Sequence, residues 1–319
     1  MALRTGGKFA PTWQKTNQIF DPDLNPEGFS EKLSFDTPKY SMLKNVSLVG
    51  LQLYVNEVGG GNDAYAFGGQ ASAKLQLGKR WTMTPSYMVL NFRNENELIN
   101  NTIGTGTATF GTPITAIAVT GPAVVTGFVS GSTYVAPNGL TNCVILPPGT
   151  ATTPRPRFCS QYLLSDVILN NQFKTKWAKL PFNLIGEYEQ NLNANPNPID
   201  GRMHDKMYFV EASLGQSKVK GDYQFGYSFG RTDQDALLAS FAESDQRWPT
   251  NMLQHRIFGG VRLRNNVNFS YTQWIGRTLN TRLPIAANGG GVALPPGFAG
   301  TGLTEPWLKR GQLDLVFTF

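Results

Sequence analysis

No run of about eighteen uninterrupted apolar residues occurs anywhere in the chain, which excludes membrane-spanning helices. The longest apolar-looking window, 114–129, is broken by Thr115, Thr120, Gly121, Pro122, Thr126 and Gly127. Charge is scarce as well: Asp, Glu, Lys and Arg make up 16% of 319 residues, a poor coat for a water-exposed domain of that size. Surface that faces lipid carries no charge. The formal charge of +6 is spread without a Lys/Arg run, so there is no basic patch for nucleic acid. Histidine is nearly missing, and neither His204 nor His255 stands at metal-ligand spacing from cysteine or carboxylate. No motif pairs His255 with a nucleophilic serine, and no Gly-Lys is followed by Ser or Thr, so no catalytic residue, cofactor or enzyme activity is expected. Asp21, Asp23 and Glu27 could hold calcium between them, although exposed acidic loops are more often only solvated. Gly59-Gly60-Gly61-Asn62-Asp63 looks like one turn of a calcium-binding glycine repeat, but such repeats bind through stacked copies, and one copy reads as a loop tip. Otherwise no metal site is expected.

Cys143 and Cys159 are the only cysteines and share one long polar segment. That arrangement suits a loop disulfide formed in an oxidising compartment, with two free thiols as the alternative. The start, Met1-Ala2-Leu3-Arg4-Thr5-Gly6-Gly7-Lys8, lacks the apolar core of about 7 to 15 residues that a secretory signal has. The expectation is therefore that a front portion has been removed or is missing.

What the chain has is alternation. Leu313, Leu315, Phe317 and Phe319 point one way and Gln312, Asp314 and Thr318 the other, the period of a strand with unlike faces. Tyr223, Phe225, Tyr227 and Phe229 form a stripe interleaved with Gln224, Gly226, Ser228 and Gly230. In water such a stripe invites aggregation, whereas at a lipid boundary it is at home. About twelve such segments, 65–77 and 167–177 among them, can be read, joined by connections that are short around Lys79, Lys179, Ser217 and Asn265 and long elsewhere. Outer-membrane barrels alternate in that way, with short periplasmic turns and long outer loops. A Greek-key sandwich has no reason to.

The predicted fold is all-β: a transmembrane antiparallel up-and-down β-barrel, residues 1–319 forming one outer-membrane domain with a long extracellular loop at about 94–161. By strand parity the candidate pore-lining residues are Lys74, Lys174, Lys176, Arg256 and Arg262, against Glu187, Glu189 and Glu211. A short helix at 236–244 is expected to fold inward and to bring a constriction near Arg231 and Arg256, giving a weak anion preference. The function expected is passive diffusion of small hydrophilic solutes and ions, with outer-membrane lipid as a partner and a homotrimer left open. The rival is a soluble or surface-anchored all-β protein that binds through its long loops.

Gly7-Lys8-Phe9, followed by Asp21-Pro22-Asp23-Leu24-Asn25-Pro26-Glu27-Gly28, resembles a family of bacterial outer-membrane porin barrels whose members carry a G-K-F strand and a D-x-D-L-N-P-E-G loop. Lys220-Gly221-Asp222-Tyr223-Gln224-Phe225-Gly226-Tyr227, Asp235-Ala236-Leu237-Leu238-Ala239-Ser240-Phe241 and Gln312-Leu313-Asp314-Leu315 look similar to it too. The likeness covers most of the chain except 94–161. It implies a porin of the bacterial outer membrane, and it implies further strands ahead of Met1, about sixteen in the complete barrel.

Overall fold

The computed structural model describes residues 2–8, 13–21, 27–38, 41–56, 62–103, 112–116, 123–130, 133–135, 141–146, 157–243, 245–283 and 301–318. Phe9, the loop residue Asp23, the glycines of the 59–61 tip, Ser244 and Phe319 lie outside the described residues. In chain order the elements are β1 (Ala2–Lys8), β2 (Glu27–Asp36), β3 (Leu43–Asn56), β4 (Ala64–Gln76), β5 (Trp81–Arg93) and α1 (Asn96–Ile103). Next come β6 (Thr112–Ala116), β7 (Ala123–Ser130), β8 (Thr133–Val135), β9 (Val144–Leu146) and β10 (Arg157–Phe158). The chain continues with β11 (Leu163–Phe173), β12 (Phe182–Asn191), β13 (Lys206–Gly215), β14 (Tyr223–Thr232), β15 (Met252–Arg264), β16 (Val267–Thr278) and β17 (Leu308–Phe317).

The protein is all-β, and it is mostly one antiparallel sheet. Its 12 strands, β1 to β5 and β11 to β17, lie side by side in the order of the chain, so that each pairs with its predecessor and its successor. Among the described residues no pairing joins β1 to β17. The strands β6 to β10 sit inside the insertion between β5 and β11 and form a second, small sheet. Where the sequence reads as one long loop, the structure has this small sheet and α1.

Alternation along each strand gives the large sheet two unlike faces. On the open face stand Phe29, Leu48, Phe67, Tyr87, Leu169, Phe225 and Leu315, all exposed. On the covered face Ser47, Gln70, Ser86, Asp166, Ser213 and Ser228 are buried. Pro85 falls where the β4–β5 ladder is interrupted, between the pairs Ser72↔Ser86 and Leu75↔Met83, because it has no N–H to donate. The reversal after β13 starts at Gly215, whose φ of +98° is open only to glycine and whose Cβ would stand 2.1 Å from the Tyr223 carbonyl oxygen.

Two sequence expectations are corrected here. The strand read as 167–177 is β11, which starts earlier and stops at Phe173. The Thr175 hydroxyl donates to the carbonyls of Trp177 at 2.9 Å and Leu180 at 2.7 Å, winding Lys174 to Trp177 into a turn. The helix read at 236–244 is a single 3₁₀ turn, Ala239–Phe241. Its would-be helical hydrogen bonds are taken by one side chain: Asn142 Nδ2 donates to the Gln234 and Leu237 carbonyls, and the Ala239 N–H donates to Asn142 Oδ1. A side chain that satisfies three backbone groups removes the need for a helical ladder.

The core lies on the covered face at the long-loop ends of the strands. Trp13, Ile19 and Phe20 from the β1–β2 connection meet Leu237 and Leu238 from the β14–β15 connection. Both pack on Val49, Leu51, Met88, Leu90, Leu164 and Phe209 of the sheet. Phe20 stands against the Phe241 ring at 5.6 Å between centroids, and Phe92 against the same ring at 5.5 Å.

Candidate functional site

The covered face has two halves of different character. At the long-loop end the segment 13–21 lies across it like a strap. The Gln14 N–H donates to Gln70 Oε1 of β4 at 2.8 Å, and the Thr16 hydroxyl donates to Glu187 Oε2 of β12. Gln18 reaches β14, where a Cβ on Gly230 would stand 3.0 Å from its Oε1. The strap is pinned to the second connection by the Asp21 N–H, which donates to the Phe241 carbonyl at 2.7 Å.

Under the strap lie Glu187 and Glu189 of β12, with Asp166 of β11 directly opposite Glu189 in the register. All three are buried, Glu189 to 0% exposure. Among the described residues neither oxygen of Asp166 or Glu189 has a hydrogen-bond partner, and Glu187 has one oxygen bonded and one not. Among the described residues they do not converge as a metal-holding group.

The second connection is tied to the disulfide region by Asp235. Its Oδ1 accepts from the Cys143 N–H at 2.9 Å, its Oδ2 from the Ser160 hydroxyl at 2.9 Å, and its carbonyl from Asn191 Nδ2 at 2.9 Å. Burial pushes the Asp235 carboxyl up to about 6 against the pull of those donors. Glu243, further along the same connection and close to the Asp21 charge, is pushed up to about 7, again chiefly by burial. Cys143 and Cys159 are bonded to each other with their Cα atoms 5.3 Å apart.

At the short-turn end the covered face is open. A basin of about 790 Å³ is lined there by Thr82, Gln172, Asn183 and Gln224 from the sheet and by Lys174, Lys176 and Lys218 from the turns. Between basin and strap runs a band set by register, Glu211↔Ser228↔Arg256↔Trp274↔Arg310, with acid at one side and bases at the other. Arg256 Nη2 donates to Glu211 Oε2 at 2.5 Å and its guanidinium lies 5.2 Å from the Trp274 ring. Arg310 pairs with Asp245 of the β14–β15 connection at 2.8 Å.

The sequence-derived candidates therefore separate. Lys174 and Lys176 line the basin; Glu211 and Arg256 form the mid-height pair; Glu187 and Glu189 lie beneath the strap. Lys74 is exposed on the covered face, and Arg262 stands at the turn end, its Nη2 donating to the Asn265 carbonyl at 2.6 Å. Arg231 is on the other side of the sheet. It shares the parity of Tyr223 to Phe229, lies 5.8 Å over the Tyr208 ring and pairs with Asp233 at 3.1 Å. The expected Arg231–Arg256 constriction is thus replaced by a packed strap. Parity alone carried the signal, since Arg231 continues the aromatic stripe by one more step of two.

The strap residues Trp13, Thr16 and Phe20 and the hub residues Asn142 and Asp235 had no periodicity to mark them. The apolar residues Val49, Leu51 and Leu53 alternate with Leu48, Gln52 and Tyr54 so that β3 is largely apolar on both faces, which was a readable sign that something covers it. No protein-family model matches the sequence, and the comparison with curated proteins finds no match.

Proposed function

We propose that the large sheet closes into a barrel that crosses a bacterial outer membrane and passes small hydrophilic solutes and ions along its covered face, with the strap as the narrow point. The observation that carries this reading is the open face. Phe225 is 55% exposed and Leu313 68%, and from β2 to β17 every strand of the sheet except β12 adds an exposed large apolar side chain to that face. A patch of that extent is a liability in water and an asset against hydrocarbon.

In this reading the basin lysines Lys174, Lys176 and Lys218 face one mouth and bias it weakly toward anions, an effect screened over about 8 Å at physiological salt. The resemblance to outer-membrane porins points the same way. The test is conductance in a planar bilayer under a salt gradient, together with Phe225→Arg and Gln224→Arg. Channels should form with a slight anion preference, and the Phe225 variant should lose about 2 to 4 kcal/mol while the Gln224 variant loses little. Protein that stays in solution without detergent and gives no conductance would sink the proposal in favour of a soluble binding protein.

A further inference from the structure

The open face differs from end to end. At the short-turn ends its outermost side chains are mostly aromatic, Phe35, Trp81, Phe173, Phe182, Tyr223 and Phe317, with Arg264 opposite Val267 beside them. At the long-loop ends of β13 to β17 cations share the same face: Lys206, Arg231, Arg277 and Lys309, with His255 among them. Register makes them neighbours, through Arg231↔Leu253↔Arg277 in one row and His255↔Ile275↔Lys309 in the next.

These cations are held by rings. The Arg231 guanidinium lies 5.8 Å over Tyr208, and that of Arg277 lies 4.7 Å over Trp307. The His255 ring is 5.1 Å from Trp307, and its Nδ1 shares a 2.7 Å hydrogen bond with the Tyr227 hydroxyl. Arg231 shares its charge with Asp233, but among the described residues Lys206, Arg277 and Lys309 form no ion pair. The nearby Glu305 is buried and taken up by Arg247 at 2.6 Å. The patch is left net positive.

We infer that this rim is a docking surface for lipid headgroups that carry phosphate, in the leaflet on the long-loop side. The inference rests on the barrel reading above. The ligand needs an anionic head beside an apolar body, because the cations border directly on Phe229, Tyr227 and Ile257, which would lie against acyl chains. A free phosphate ion makes no use of that apolar border. Each Lys or Arg near an anionic lipid surface strengthens association by about fivefold, and on the opposite rim the register places Arg264, opposite Val267, on the same face without such a cluster around it.

The experiment uses the full chain in phosphatidylcholine vesicles doped with bisphosphorylated lipid A, or with the same lipid after dephosphorylation, and measures the doped lipid that stays with the protein after mild detergent extraction. The wild type should retain the phosphorylated lipid and shed the dephosphorylated one. Arg231→Gln/Arg277→Gln/Lys309→Gln should retain on the order of a hundredfold less, and Arg231→Lys/Arg277→Lys should retain nearly as much as the wild type. Lys309→Gln alone, at an exposed position, gives a smaller loss in the same direction and keeps the test readable where the triple variant does not insert. Equal retention by wild type and Gln variants, or equal retention of the two lipids, overturns the inference while leaving the barrel standing. Protein that enters neither kind of vesicle overturns both.

Discussion

The two ends of the covered face are built by different means. At the short-turn end the sheet and its own tight turns supply the walls, and Thr82, Gln172, Asn183 and Gln224 line a basin with room for water. At the long-loop end the sheet supplies only a floor, and the burial comes from segments of three connections, 13–21, 141–146 with 157–162, and 233–243 with 245–251. The packed core and the open basin thereby lie at opposite ends of the strand axis.

The strongest way to break the contrast is to empty the strap. Phe20→Ala removes a ring buried between Trp13 and Phe241 and should cost about 3 to 5 kcal/mol, whereas Gln172→Ala in the basin should stay within about 0.5 kcal/mol. Thermal unfolding in detergent reads the difference, and equal losses would mean that the two ends are not distinct.

The disulfide comes next. Cys143 and Cys159, 16 residues apart, close a loop whose opening should cost about 3 kcal/mol on the chain-entropy account. A Cys143→Ser/Cys159→Ser variant should accordingly be cleaved faster by protease in the 141–162 region with no change at the turn end. Uniform cleavage along the chain would contradict this.

Acidity sharpens the contrast more gently. Asp235, held up to about 6 against about 4 in an unfolded chain, contributes stability that is fully present below about pH 4 and lost as pH rises through about 6. Across that window the long-loop end should weaken by up to about 3 kcal/mol, and Asp235→Asn should flatten the slope. Glu243, at about 7, extends the same trend upward. Unfolding midpoints between pH 4 and 8 measure both, and a slope unchanged in the Asn variant would remove Asp235 from the account.

These differences explain what the sequence made legible. Elements that obey a period of two could be read directly: the aromatic stripe of β14, the polar and apolar sides of β4 and the alternating end of β17 appear where their residues put them. Long-range partners could not be read. The 236–244 stretch has helical composition, yet it meets Asn142, which lies far away in the chain, and Asn142 takes the hydrogen bonds a helix would have made. The strap is a nine-residue stretch of irregular backbone whose role depends on Gln70, Glu187 and Gly230, three positions far apart in the chain. Arg231 is a miss of another kind, in which the period was visible and a functional guess overrode it.

The neighbours β5 and β11 have one further consequence. All other adjacent strands of the sheet are joined by their own shorter connections, the longest being 279–307, but these two are separated by the whole 94–162 insertion, and closing that loop costs about 3 kcal/mol more than closing a two-residue turn. The chain therefore has a natural seam. The five strands before it and the seven after it can each zip up locally, and the step that joins them is the slow, entropically expensive one. A backbone opened between Ile103 and Thr112 would leave both runs of strands intact and keep Cys143 and Cys159 on the same fragment, so the molecule is laid out for reassembly from two complementary pieces.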